Sequence, residues 1–299
     1  MKQPFSYYGG KQNMFSEIIP LIPPHTQYCE AFVGGGTMFW KKSPSKNEVI
    51  NDLDGRITNF YMQLKTNFSE LQKMIHGTLH SEILHTEASE VLEDENETPL
   101  RKAWALWVQT NMSFSFIING GYAFRTTGMG FGTANKRDRF TEKLSLRLRD
   151  VEIFQRDALD LIDLKDHTET LFYLDPPYAS SDCGHYKGYT LDDFERLLSK
   201  LKNIKGKFIL SSYPEEILMK YRDECGWGSK DLKQVVMVSG KREEVKHKIE
   251  CISYNFIPPN NQVGMFDEAP QSEVQCDENG EPVYLGEQEP TKTMDDAQD

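Results

Sequence analysis

Apolar residues recur along this chain at two spacings, and the change from one to the other marks its elements. Compact runs of strand length, rich in β-branched and aromatic residues, occupy 28–33, 48–52, 151–158, 171–174 and 207–212. Between them the period becomes helical. Leu191, Phe194, Leu197, Leu198 and Leu201 share one side of a helix over 191–202, and Trp104, Trp107, Val108, Met112 and Phe116 fall at helical spacing as core residues. Shorter helices are predicted over 14–21, closed by Pro23-Pro24, over 57–64 with Asp54 as N-cap, and over 159–164. The polar stretch 87–99, EASEVLEDENETP, predicts an exposed loop or frayed helix.

Alternating strands and helices predict an α/β protein with a mainly parallel sheet. Two late strands over 234–238 and 249–256, joined by a basic stretch, predict an antiparallel hairpin at the C-terminal edge, so the sheet is expected to be mixed. A long helical passage interrupts the alternation. The expected organisation is a core built from 1–54 and 150–257, a mainly helical insertion over 55–149, and a tail over 258–299.

At 299 residues, 38% apolar and 11% aromatic, the chain can bury one large core or a core with an insertion. No apolar run approaches the roughly 18 residues of a membrane span, and the opening MKQPFSYYGG lacks a signal-peptide core. The expectation is a soluble cytoplasmic protein without a membrane partner. Five cysteines with no C-x-x-C pair read as reduced, packed thiols. His76 and His80 stand four apart, but Gly77 lies between them and no clear third ligand is present, so no metal is expected.

The formal net charge of −12 is unevenly divided. Residues 267–299 hold 11 Asp and Glu against Lys292 alone, which leaves −2 for the rest and predicts an acidic, disordered tail. By contrast, 120–149 carries seven Lys or Arg against Asp138 and Glu142, and 230–248 carries six against Asp231, Glu243 and Glu244. Basic stretches of this kind suit nucleic-acid phosphates, with Arg125, Lys136, Arg137, Arg139, Lys241 and Arg242 as candidate contacts.

The chemistry concentrates at 171–178, LFYLDPPY, where a buried strand is stopped by two prolines that cannot continue its ladder. Its end presents the Asp175 carboxylate, the Pro176 carbonyl and the Tyr178 ring at the place where open α/β sheets hold their ligands. Two fixed acceptors suit a planar exocyclic amine such as adenine N6, whose lone pair must be localised before it can attack carbon. Proline narrows the directions its carbonyl can take, and an aromatic two residues on can stack on a base, at roughly 1–3 kcal/mol. The bland alternative is an Asp-Pro turn that closes a strand.

Two further stretches bear on a ligand. Residues 28–36 read as a strand running into the tight turn Gly34-Gly35-Gly36, with a helix from Thr37, a geometry that brings backbone close to a bound molecule. No Gly-Lys-Ser/Thr follows and G-x-G-x-x-G is absent, which argues against a phosphate loop. Asp52 closes the next strand, where such folds place an acid on ribose hydroxyls. At the start of the chain, Tyr7-Tyr8-Gly9-Gly10-Lys11 offers backbone N–H groups and an ammonium to an anionic group.

Asp-Pro-Pro-Tyr, the glycine turn preceded by Glu30 and Phe32, and the Gly-Gly-Lys opening together resemble DNA amino-methyltransferases of the adenine-N6, Dam-like class, over about residues 5–257. The resemblance implies a Rossmann-like S-adenosylmethionine-dependent methyltransferase fold with a target-recognition insertion. It implies that the cofactor lies along Tyr7, Tyr8, Lys11, Glu30, Phe32, Gly34, Gly36, Asp52 and Asp157, with Asp157 accepting from its adenine amine. It further implies double-stranded DNA as substrate, base flipping, closure of the loop 180–189 over the flipped base, and direct SN2 transfer, with Asp175, Pro176 and Tyr178 catalytic. Asn119-Gly120-Gly121 followed by Arg125 matches the family's recognition pattern only in part. RNA adenine, DNA cytosine N4, a catalytically silent DNA binder and a partner restriction nuclease stay open at this level.

Overall fold

The computed structural model describes residues 1–259 apart from 8, 10, 12–13, 125–131, 179–188 and 238–244, and leaves out the side chains of 233–248. Seven strands form one sheet: β1 (Gln27–Glu30), β2 (Asn47–Asn51), β3 (Val151–Phe154), β4 (Thr170–Leu174), β5 (Lys207–Ser212), β6 (Gly228–Met237) and β7 (Val245–Tyr254). Their order is β3-β2-β1-β4-β5-β7-β6, parallel through β5, with β7 antiparallel to both β5 and β6. The chain winds outward from β1 through β2 to β3, then restarts at β4 on the other side of β1. The reversal opens a crevice at the carboxyl ends of β1 and β4.

The helices are α1 (Phe15–Ile18), α2 (Thr37–Lys41), α3 (Gly55–Thr66), α4 (Phe68–Gly77), α5 (Glu82–Glu93), α6 (Pro99–Met112), α7 (Thr133–Asp138), α8 (Glu142–Leu148), α9 (Ala158–Lys165), α10 (Leu191–Leu201) and α11 (Glu216–Cys225). The two-residue period of the strands divides them between two cores. Tyr28, Ile50, Leu171, Tyr173 and Ile209 face a cluster that also contains Phe60, Leu64, Trp104, Trp107 and Leu148 from the helical passage. Their neighbours Cys29, Val49, Phe172, Leu174, Phe208 and Leu210 face the other cluster, with Leu161, Leu197, Leu198 and Leu218. No helix among the described residues is long and apolar enough to cross a membrane.

The ends of the elements follow local chemistry. Asp54 caps α3, accepting from the Arg56 amide at 2.9 Å. Thr190 and Asp193 close a reciprocal capping box on α10. Some sequence-based expectations change. Residues 87–93 are regular helix, because His85, Ala88, Val91 and Leu92 make a buried stripe that the surrounding acids disguise. Helix α6 stops at Met112, and Phe116, expected in the core, lies in a turn and is 44% exposed. Leu191, the first residue of α10, is also outside the core, at 51% exposure. Strand β6 starts six residues earlier than its apolar pattern, with Lys230 and Asp231 obscuring the edge-strand alternation. The proposed closing loop, apart from Tyr189, and the acidic tail lie outside the described residues.

The packing of α10 gives a direct test. Leu198→Ala is expected to cost about 2–5 kcal/mol, while Leu191→Ala changes stability by less than about 0.5 kcal/mol. Chemical denaturation midpoints of the two variants, compared with the parent, check the assignment of the buried face.

Candidate active site

Residues 4–6 are bound to the helical layer before the chain reaches the crevice. Phe5 is buried with its ring 4.7 Å from that of Phe60, Trp107 donates its indole N–H to the Pro4 carbonyl at 3.1 Å, and the Ser6 amide donates to Asn111 Oδ1 at 3.3 Å. Thus anchored, the chain lays Tyr7 across the glycine turn. A Cβ at Gly34 would come within 2.8 Å of the Tyr7 ring, and one at Gly35 within 2.8 Å of Tyr7 Cβ. Gly34 and Gly36 also have φ of 44° and 67°, a region other residues enter at a cost. The Tyr61 hydroxyl donates to the Gly34 carbonyl at 3.0 Å and fixes the turn from below.

Hydrogen bonds tie the neighbouring strand ends together. Asp52 accepts from the Gly34 amide at 2.8 Å and from the Asp54 amide at 3.0 Å. Asn51 donates to the carbonyls of Ala31 and Arg156 and accepts from the Arg156 amide, so β1, β2 and β3 end in register. Asp157 caps α9 through the Leu159 amide at 2.8 Å. Phe32 packs edge-on against Tyr189, ring centroids 6.4 Å apart.

Lys11 lies at the floor, 6% exposed, with its ammonium 2.7 Å from Asp175 Oδ1 and 3.3 Å from Glu250 Oε1. Tyr178 donates to Glu250 and stands 3.4 Å from Asp175 Oδ1, and Ser211 donates to Glu250 Oε1 at 2.7 Å. The Tyr178 ring also packs against Tyr213 at 4.2 Å. Burial pushes the Asp175 carboxyl up to about 6 despite the pull of Lys11, and it pushes Asp52 up to about 6 and Glu30 to about 8. The Tyr28 hydroxyl donates to Glu30 at 2.7 Å. For Lys11, burial alone would lower the pKa, but Asp175 and Glu250 outweigh it and hold the ammonium above its ordinary value.

These groups border one cleft of about 1160 Å³. Tyr7, Lys11, Glu30, Phe32, Gly34, Gly36, Asp52, Asp157, Asp175, Pro176 and Tyr178 all line it. Tyr8 lies outside the described residues, as do Arg125, Lys241 and Arg242. Lys136 and Arg137 belong to α7, which Arg139 closes. Lys136 sits 4.9 Å from the Phe116 ring, itself part of the cleft wall, and burial lowers its pKa to about 8. Arg137 donates to the Thr78 carbonyl at 2.9 Å, and Arg139 is exposed. Arg147, in the same basic stretch, is buried against Glu48. His76 and His80 contact the Phe140 carbonyl and the Thr133 hydroxyl, respectively.

Sequence reasoning missed Glu250, Ser211, Tyr213 and the turn 116–119. Glu250 left a trace as a lone acid between Ile249 and Cys251-Ile252 in a strand. The turn 116–119 left its trace only in Asn119-Gly120, a turn-favouring pair whose Asn tolerates its φ of 60°, while no local pattern announces the φ of 64° at Phe116.

Residues 7–248 match the family model of D12 class N6 adenine-specific DNA methyltransferases. A type II methyltransferase of Lactococcus lactis subsp. cremoris is 35% identical over 75 residues, 24% of this chain and 26% of that protein. A DNA N-6-adenine-methyltransferase of Escherichia phage P1 is 31% identical over 72 residues, 24% of this chain and 9% of that protein. The matches thus span about a quarter and a tenth of those relatives. Among solved structures, an rRNA methylase from Streptococcus thermophilus has a TM-score of 0.33 at 10% identity, covering 81% of this chain and 94% of that one. A precorrin-6y C5,15-methyltransferase from Geobacter metallireducens has 0.37 at 8% identity, covering 81% and 87%. Neither adds to the topology described above. The family model spans most of the sequence, and the chain belongs to the D12 class of N6 adenine-specific DNA methyltransferases.

Proposed function

We propose that this chain methylates the N6 amine of adenine in double-stranded DNA at a specific site, with S-adenosylmethionine as donor and the target base turned out of the duplex. The observation that carries the reading is the pairing of the Asp175 carboxylate with the buried Pro176 at the end of β4, in the cleft at the sheet reversal. Family membership supports the substrate and the reaction.

The cleft fits the donor. Asp175 and Glu250 engage the ammonium of Lys11 at the floor, while burial raises the Glu30 carboxyl to about 8 and leaves it mostly neutral near pH 7. The Tyr173 hydroxyl is buried on the cleft wall with no hydrogen-bond partner among the described residues, a cost that a bound polar ligand removes. Asp52 stands where ribose hydroxyls are held, beside the glycine turn, and Asp157 borders the place for the adenine ring. S-adenosylmethionine supplies an electrophilic methyl group on positively charged sulfur. Its volume leaves room in the cleft for a base.

Asp175 accepts one N–H of the target amine and the Pro176 carbonyl accepts the other, which draws the nitrogen lone pair out of conjugation. Asp175 then receives the proton released as the amine takes the methyl group, the methyl–sulfur bond breaking and the neutral thioether, S-adenosylhomocysteine, leaving. Tyr178 stacks on the base, held edgewise by its hydroxyl contacts to Glu250 and Asp175. No metal enters this scheme. Arg139, exposed just past α7, and Lys136, half-buried beside Phe116, supply phosphate contacts with Arg125, Lys241 and Arg242, while Arg137 is shared with the Thr78 carbonyl.

Two outcomes check the assignment. Asp175→Ala is expected to lower methyl transfer by about 10²-fold or more, while calorimetric titration shows S-adenosylmethionine binding within about threefold of the parent; normal turnover rules out the role. Because Asp175 acts as the carboxylate and its pKa is raised to about 6, kcat/KM for DNA should be flat above neutrality. It should fall about tenfold per pH unit below that value; a profile flat down to pH 5 contradicts it.

A further inference from the structure

The catalytic floor contains a carboxylate, Glu250, to which the scheme above gives no contact with the target amine and no proton. Glu250 lies on β7, its side chain 8% exposed, on the antiparallel side of the sheet, far in sequence from Asp175 and Lys11. Its Oε1 collects the Ser211 hydroxyl at 2.7 Å, the Lys11 ammonium at 3.3 Å and the Tyr178 hydroxyl. Lys11 and Tyr178 both reach Asp175 through Oδ1, and no described residue donates to Oδ2. One ammonium thus serves two carboxylates, one buried and one 20% exposed, and the buried one, Glu250, also restrains the stacking tyrosine.

We propose that Glu250 is a positioning residue for methyl transfer, sharing Lys11 and holding Tyr178 so that Asp175 keeps an oxygen for the target amine. This rests on the methyl-transfer reading above. Without the Glu250 charge, Asp175 is the one carboxylate left to Lys11 beside the Gly9 carbonyl, and Tyr178 has only a weaker, neutral acceptor to set its ring. Ser211, packed beside it on β5, keeps Glu250 from turning away. The charged and titratable groups around Asp175 are Lys11 from the N-terminal arm, Glu250 from β7, Tyr178 and Tyr173 on either side of Asp175, and Glu30 from β1. Glu250 is the second carboxylate whose field raises the Asp175 carboxyl, so its removal moves that group downward.

The test uses the full chain with Glu250→Gln, which preserves shape, and Ser211→Ala, which preserves charge. For Glu250→Gln, kcat is expected to fall by about ten- to a hundredfold, S-adenosylmethionine affinity to change little, and the acid limb of kcat/KM to move to lower pH. Ser211→Ala should lower kcat severalfold and leave the limb in place. A limb unmoved in Glu250→Gln, as a purely structural role gives, overturns the proposal. If Glu250→Gln does not fold, parental kcat in Ser211→Ala overturns it instead. Titration of the Asp175 carboxyl by carbon NMR, in parent and Glu250→Gln without DNA, separates this inference from the functional reading. A parent without methyl transfer defeats the latter, whereas an Asp175 midpoint that does not fall in Glu250→Gln defeats the former.

Discussion

A single buried ammonium joins the parts of this molecule that the chemistry requires. Lys11 belongs to the N-terminal arm, Asp175 to the end of a central parallel strand, and Glu250 to the antiparallel edge. Leaving one member of such a buried set unpaired costs roughly 3–5 kcal/mol, so the arm, the central strand and the edge hairpin are held to one another through this contact. Its geometry depends in turn on Phe5 and Trp107, which fix the arm to the helical layer at a point where Lys11 reaches the floor.

The sheet supplies the other constraint. Because the chain restarts at β4 on the far side of β1, the carboxyl ends of the two strands diverge, and Glu30 and Asp175 come to face one space from neighbouring strands. Asn51 stops β1, β2 and β3 from shifting relative to each other, and Asp52 holds the glycine turn by its amide. The turn must be glycine both for its backbone angles and for the close approach of Tyr7. Burial then raises Asp175, Asp52 and Glu30 together, giving a site whose acids ionise most readily when a cation or an N–H donor is present.

The parts of this arrangement legible in the sequence were those written in contiguous residues. The run Leu171 to Leu174 ended by Asp175 and two prolines fixes a strand, its terminus and the acid on it, and the glycine turn announces itself in the same way. Asp54 as a cap and the parallel strand β5 were equally local. Glu250 was hidden because its meaning comes from a register, β7 against β5, that sets it beside Ser211 and under Lys11. Phe116 looked like a continuation of a helical stripe, but Met112 is the last residue of α6 and the chain then turns through positive φ values. Arg137 and Arg147 read as free basic charges, yet both have partners within the protein, Thr78 and Glu48. Composition counts charges and does not reveal which of them are already engaged.

The most direct test of the central claim is base-resolved mapping of methyl groups transferred from labelled S-adenosylmethionine to duplex DNA of mixed sequence. The account predicts label on adenine N6 at one short recurring sequence and none on cytosine. Label confined to cytosine, or none at all with the cofactor bound, would contradict it.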